Sequence, residues 1–110
     1  MMNQIILVGR TYKIDTTCDN NKKKTTMTLA VTRPYKNSDG VYDTDFIDIT
    51  LWDNIAENTV ARVGIGDVVG VKGRIQTTSY TNEDNGYTTK KMEIVAEKVT
   101  FLTSQRANES

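Results

Sequence analysis

Apolar residues in this chain recur at every second position in several short runs, each bounded by turn-forming residues, and only one segment repeats at helical spacing. A side-chain period of two belongs to strands that bury one face, so the pattern confines the chain to an all-β architecture with one short helix. The clearest run is Asp45 to Trp52. Ile47, Ile49 and Leu51 point one way, and Phe46, Asp48, Thr50 and Trp52 the other.

The remaining elements follow from the same test. Residues 4–10, around Ile5 to Val8, read as a first strand buried on both faces. Residues 15–24 are polar and turn-forming, and residues 25–32 alternate threonine with Met27, Leu29 and Val31, which predicts a hairpin with a basic loop. Pro34 is expected to close this second strand, because it has no backbone donor to give a ladder. The helix is predicted over 54–62, with Asp53 or Asn54 as N-cap and Gly64 as the stop. Residues 67–78 put Val69, Val71 and Ile75 on one face and Val68, Lys72, Arg74 and Gln76 on the other, with Gly70 and Gly73 as bend points. A last hairpin turns at Asn82 to Gly86 and returns with Met92, Ile94 and Ala96 inward. The order strand, strand, strand, helix, strand, strand is that of a five-stranded OB-fold (oligonucleotide-binding) barrel. One domain over residues 1–103 is expected, with 104–110 as a short disordered end.

Composition narrows the function. The chain has no histidine and one cysteine, Cys18, which is read as a loop thiol. It therefore lacks the usual ligands of a zinc site and the commonest general base near neutral pH. No cofactor is called for. Four consecutive apolar residues near the start make neither a signal peptide nor a membrane span, so a cytoplasmic protein is expected. Fourteen basic residues balance fourteen acidic ones. Zero net charge counts against a nucleic-acid partner, but binding depends on the local field rather than the sum.

Unpaired bases expose flat π-faces, so a sequence-tolerant binder needs rings to stack on and cations to follow the phosphates. Phe46 and Trp52 supply rings from one strand face, and their opposite parity to Ile47, Ile49 and Leu51 argues against a core role. Tyr35 and Tyr80 stand beside turns with Arg33 and Lys36 nearby; their own sequence context fits surface residues equally well. Lys72 and Arg74 share a strand face, and Lys90 lies on the strand leaving the last hairpin, so these could track a backbone or form a solvated face. Arg10, Arg62, Lys91 and the run Lys22 to Lys24 are weaker candidates, the run reading as a solvated loop or, alternatively, as a mobile one that could catch phosphates. Asp43, Asp45, Asp48 and Asp53 raise a metal-dependent nuclease, but Asp48 lies on the opposite face from Asp43 and Asp45.

Several segments in order carry a resemblance. The start Met-Asn-Gln-Ile-Ile-Leu-Val-Gly-Arg, then Thr-Leu-Ala-Val-Thr-Arg-Pro-Tyr-Lys, Asp-Phe-Ile-Asp-Ile-Thr-Leu-Trp and Val-Lys-Gly-Arg-Ile-Gln-Thr-Thr-Ser-Tyr-Thr-Asn resemble the bacterial-type single-stranded DNA-binding protein family from about Met2 to Leu102. The resemblance implies sequence-independent, non-enzymatic binding of single-stranded DNA in replication, recombination or repair. It places the stacking aromatics at Tyr35, Phe46, Trp52 and Tyr80. It also implies a homotetramer in which first strands pair, a role suited to Ile5 to Val8. The end, Thr-Ser-Gln-Arg-Ala-Asn-Glu-Ser, departs from the Gly/Pro/Gln-rich tail with an acidic tip that recruits repair enzymes in many members. That role is not carried over, and a phage or mobile-element relative, a paralogue or a shortened chain fits the departure. The alternative function is an OB-fold interaction module, such as a replication-restart accessory, which would have no reason to keep all four rings.

Overall fold

The computed structural model describes residues 1–19 and 22–103. Its elements are β1 (Ile5–Asp19), β2 (Lys22–Lys36), β3 (Tyr42–Trp52), α1 (Asp53–Arg62), β4 (Val68–Thr81) and β5 (Thr88–Thr103). The strands close into a barrel in the order β1-β2-β3-β5-β4. β1 serves two neighbours: Ile5 to Arg10 pair with β4, and from Arg10 to Asp19 the strand pairs with β2. All pairings are antiparallel except β3 with β5, which run parallel and join at Ile49 to Ile94 and Thr50 to Val95.

The alternation fills the barrel as the sequence requires. Met27 and Leu29 from β2, Ile49 and Leu51 from β3 and Val69 and Val71 from β4 are fully buried, and α1 adds Ala56 with Val63 just past its end. Each large apolar side chain removed from water stabilises the fold by about 1.5–3 kcal/mol. Gly73 marks a close approach. A Cβ there would lie 2.3 Å from the Val95 carbonyl oxygen, so only glycine lets β4 and β5 meet at that point.

Four expectations are corrected. The polar stretch 15–24 is not a long loop: Thr16, Thr17 and Cys18 in β1 pair with Thr25, Lys24 and Lys23 in β2, and the Thr16 and Thr25 hydroxyls are 3.1 Å apart. These arms carry ladder hydrogen bonds beyond the core, where no face need be apolar, so period-two reading misses them. Pro34 does not close β2 but lies in an irregular stretch between the pairs Thr32 to Thr44 and Lys36 to Tyr42, where no ladder donor is needed. The helix starts directly from β3, with Trp52 as N-cap and no side-chain cap; Asp53 turns the chain at a φ of 51°, a conformation Asp tolerates better than most residues. Met92 and Ile75 have core parity but are exposed, at 79% and 37%: the β4–β5 arm carries Met92 beyond the barrel, while Ile75 lies level with the β3–β5 junction, opposite Ile94. The expected disordered end, 104–110, lies outside the described residues.

Candidate nucleic-acid interface

The outer face of β3 presents its rings because its inner face is committed to the core. Phe46 is 58% exposed, while Ile49 and Leu51 of opposite parity are fully buried. Against Phe46 lies a ring that sequence reading missed. Tyr12 stands with its ring centroid 4.9 Å from that of Phe46, the planes tilted by 59°. Tyr12 is the extra residue where the β1 register shifts between Thr11 to Leu29 and Lys13 to Thr28. Such a bulge re-aims a side chain. Buried Thr11 and core-packed Ile14 stand three residues apart, a spacing that breaks the period of two and marks the bulge, beyond the 4–10 strand that the alternation predicts.

Trp52, half-buried, ends the same face. Its cross-strand partner is Lys24, whose Nζ stands 5.7 Å from the ring centroid. That places Lys24 in the β2–β3 ladder, at the Trp52 end of the face, rather than in a loop. Lys24 also faces Glu93 Oε1 at 3.9 Å, and Glu93 Oε2 accepts a hydrogen bond of 3.2 Å from the Thr78 hydroxyl. Burial raises the pKa of this carboxyl, but the hydroxyls of Thr50 and Thr78 and the charge of Lys24 outweigh it and hold the group below its ordinary value. Together with Thr26, Asp48, Met92 and Lys91 these residues line a groove of about 330 Å³ between β2–β3 and the β4–β5 arm. A second hollow, about 360 Å³, joins Trp52 to Arg74 and Glu97, whose charged groups are 3.7 Å apart. Glu97 is the extra residue of a β5 bulge opposite Lys72 and Gly73.

At the far end of β3, Arg33 grips Asp45 with two hydrogen bonds, Nε to Oδ2 at 3.0 Å and Nη2 to Oδ1 at 2.9 Å, and Nη1 is 3.7 Å from Asp43. The hydrogen bond from Arg33 is the main cause holding the Asp45 carboxyl below its usual range, and Asp45 in turn raises Arg33. Tyr35 beside it is 62% exposed, and Lys36 Nζ stands 5.8 Å from the Tyr42 ring.

The remaining candidates sit elsewhere. Lys72 lies opposite Ile6 of β1 and Lys98 of β5. Lys90 pairs with Ser79, on the other face of the hairpin from Thr78 and Lys91, and Tyr80 occupies β4 opposite Thr89. Arg10 donates to the Gly66 carbonyl at 2.7 Å, and Arg62 lies over Phe101 at 5.7 Å. The acidic residues do not converge: Asp43 and Asp45 share Arg33, and Asp48 accepts from the Thr28 hydroxyl at 2.6 Å. Among the described residues no three acidic, cysteine or histidine side chains gather as a metal site would need.

A closed five-stranded barrel with its helix between the third and fourth strands, carrying exposed rings beside cations on its outer face, is an OB-fold of the nucleic-acid-binding kind. Residues 2–102 match the family model described as the single-strand binding protein family, and the chain belongs to that family. It is 41% identical over 111 residues to single-stranded DNA-binding protein B of Bacillus subtilis (strain 168), covering 93% of this chain and 91% of that one. It is 41% identical over 113 residues to single-stranded DNA-binding protein 3 of Listeria innocua, covering 96% of this chain and 67% of the relative. The solved structure titled "Plasmodium falciparum SSB complex with ssDNA" superposes with a TM-score of 0.73 at 24% identity, over 94% of this chain and 96% of that one, and shares its fold.

Proposed function

We propose that this chain binds single-stranded DNA without sequence preference and without catalysis, and so protects unpaired strands during replication, recombination or repair. The observation that carries the reading is the outer face of β3, where exposed Phe46 and half-buried Trp52 stand beside Tyr12 and Lys24 in a member of the single-strand binding protein family. Phe46, Trp52, Tyr35 and Tyr80 stack bases, while Arg33, Lys36, Arg74 and Lys91 follow the phosphates; Lys72 and Lys90 serve a strand that leaves the groove around the barrel. A base–aromatic stack contributes about 1–3 kcal/mol whatever the base, which explains tolerance of sequence. The cytoplasm is the proposed compartment, and no helix among the described residues is long and apolar enough to cross a membrane.

The chain has one tryptophan, and it is in the proposed site. Titrating oligo(dT) while following its fluorescence should give a saturable change. An unchanged signal at micromolar protein and low salt would overturn the reading.

The same proposal includes self-assembly, to a homotetramer or at least a dimer. Ile5 to Gly9 pair with β4 on one edge only, because β2 joins β1 from Arg10 onward, and Ile6 and Val8 are 66% and 54% exposed. A second copy added along this edge would satisfy its backbone groups and cover both side chains. Linked sites raise the effective concentration for a long strand. Light scattering that returns a monomer mass near 12.4 kDa would overturn the assembly.

A further inference from the structure

The cations around Trp52 are not free charges. Lys24 faces Glu93 at 3.9 Å and Arg74 faces Glu97 at 3.7 Å, whereas Lys91 lines the groove with no carboxylate within ion-pair distance among the described residues. Glu93 is more enclosed than the other ion-paired carboxylates described here, being half-buried with its side chain 18% exposed. Its Oε2 is held by Thr78, while Oε1 is shielded from solvent and accepts no hydrogen bond. The Lys24 ammonium is the nearby charge that compensates Oε1. At 3.9 Å the pair is Coulombic rather than hydrogen-bonded.

Two kinds of ligand meet this pair differently. A phosphate that takes Lys24 for itself removes the one counter-charge of Glu93, leaves the carboxylate only the polar groups of Thr50, Thr78 and Gln76, and sets a second negative charge beside it, which is costly. A base that stacks on Trp52 from the hollow shared with Arg74 leaves the pair intact and keeps the ammonium over the ring. Duplex DNA and polyphosphate present phosphates with no free base face, so they have only the first route. Resting on the reading of this groove as a single-strand site, we infer that Glu93 is a specificity-determining residue: it reserves Lys24 for the stacking platform and so disfavours ligands that offer phosphate alone. Net charge zero in a nucleic-acid binder then has a local expression, a cation whose counter-anion is built into the groove.

The test compares oligo(dT), a short blunt duplex and inorganic polyphosphate on the full chain and on Glu93→Gln, with folding checked by circular dichroism. In the variant the affinity for duplex and for polyphosphate, each taken relative to that for oligo(dT), should rise roughly two- to fivefold, the scale of one partly exposed ion pair. The slope of log affinity against log salt for duplex should steepen by about 0.9, one added phosphate contact. Equal changes for all three ligands, or none, would overturn the inference. Lys24→Met is a second check, which leaves the Glu93 side chain in place but removes its counter-charge. It should leave the oligo(dT) salt slope unchanged, and flattening by about 0.7 would show that Lys24 is a phosphate anchor after all. Failure of the wild-type chain to bind oligo(dT) would instead refute the parent reading.

Discussion

Tyr12 and Phe46 form a ring pair across two strands, centroids 4.9 Å apart, held by a bulge in β1 that turns Tyr12 onto the β3 face. Tilted rings at this distance attract one another, and together they offer a wider stacking surface than either alone. Phe46→Ala should therefore weaken oligo(dT) binding by ~1 to 3 kcal/mol, and a double-mutant cycle with Tyr12→Ala should show coupling of about 0.5–1.5 kcal/mol. Fluorescence titration measures both. Strict additivity would remove Tyr12 from the site.

Trp52 and Ile49 sit on the same strand with opposite parity, so their truncations should separate. Trp52→Ala is expected to cost ~1 to 3 kcal/mol of binding and leave the barrel folded. Ile49→Ala opens a cavity in the core and should cost ~2 to 5 kcal/mol of stability, with affinity per folded molecule kept. Urea titration and oligo(dT) binding, run on both variants, decide it; effects found the other way round would invert the assigned faces.

Arg74 borders the Trp52 hollow, whereas Lys72 stands two residues back beside Ile6 and Lys98. For a short oligo(dT), Arg74→Ala should flatten the salt slope by up to about 0.7, one phosphate on a single strand, and Lys72→Ala should flatten it less. Binding isotherms at several salt concentrations give both slopes. A larger effect at Lys72 would move the strand's path to the β1 side.

Acid should weaken the fold through two carboxylates. Asp45, hydrogen-bonded by Arg33, and Glu93, whose burial is outweighed by Thr50, Thr78 and Lys24, both have native pKa values below their ordinary ones. A depressed native pKa gives stability that is complete above the ordinary carboxylate value of about 4 and is lost as pH falls through the native one. The urea midpoint should thus fall between about pH 5 and pH 3, and less steeply in Arg33→Met, where Asp45 has lost its donor. A midpoint that rises on acidification would contradict the sign.

What was legible in the sequence was whatever the core dictates. Ile47, Ile49 and Leu51 had to share a face, which sent Phe46 and Trp52 outward, and Asn82 to Gly86 had to turn. The arms were illegible because no burial constrains them: Lys24 looked like part of a charged loop, yet the ladder continues and sets it opposite Trp52. Bulges hid the rest. One inserted residue breaks a period of two without any compositional mark, and in this barrel the inserted residues include Tyr12, which enlarges the ring face, and Glu97, which neutralises Arg74.

The parallel junction of β3 with β5 is only two residue pairs long, Ile49 to Ile94 and Thr50 to Val95. It is the shortest join in the barrel and links positions distant in the chain, so its closure depends on long-range contacts. Thr50 in it and Glu93 beside it both line the groove. A DNA strand lying there spans the junction like a stitch across a seam. On the proposed path, bound nucleic acid would hold shut the part of the wall with the fewest rungs of its own, and the ligand would become a fastening of the protein that carries it.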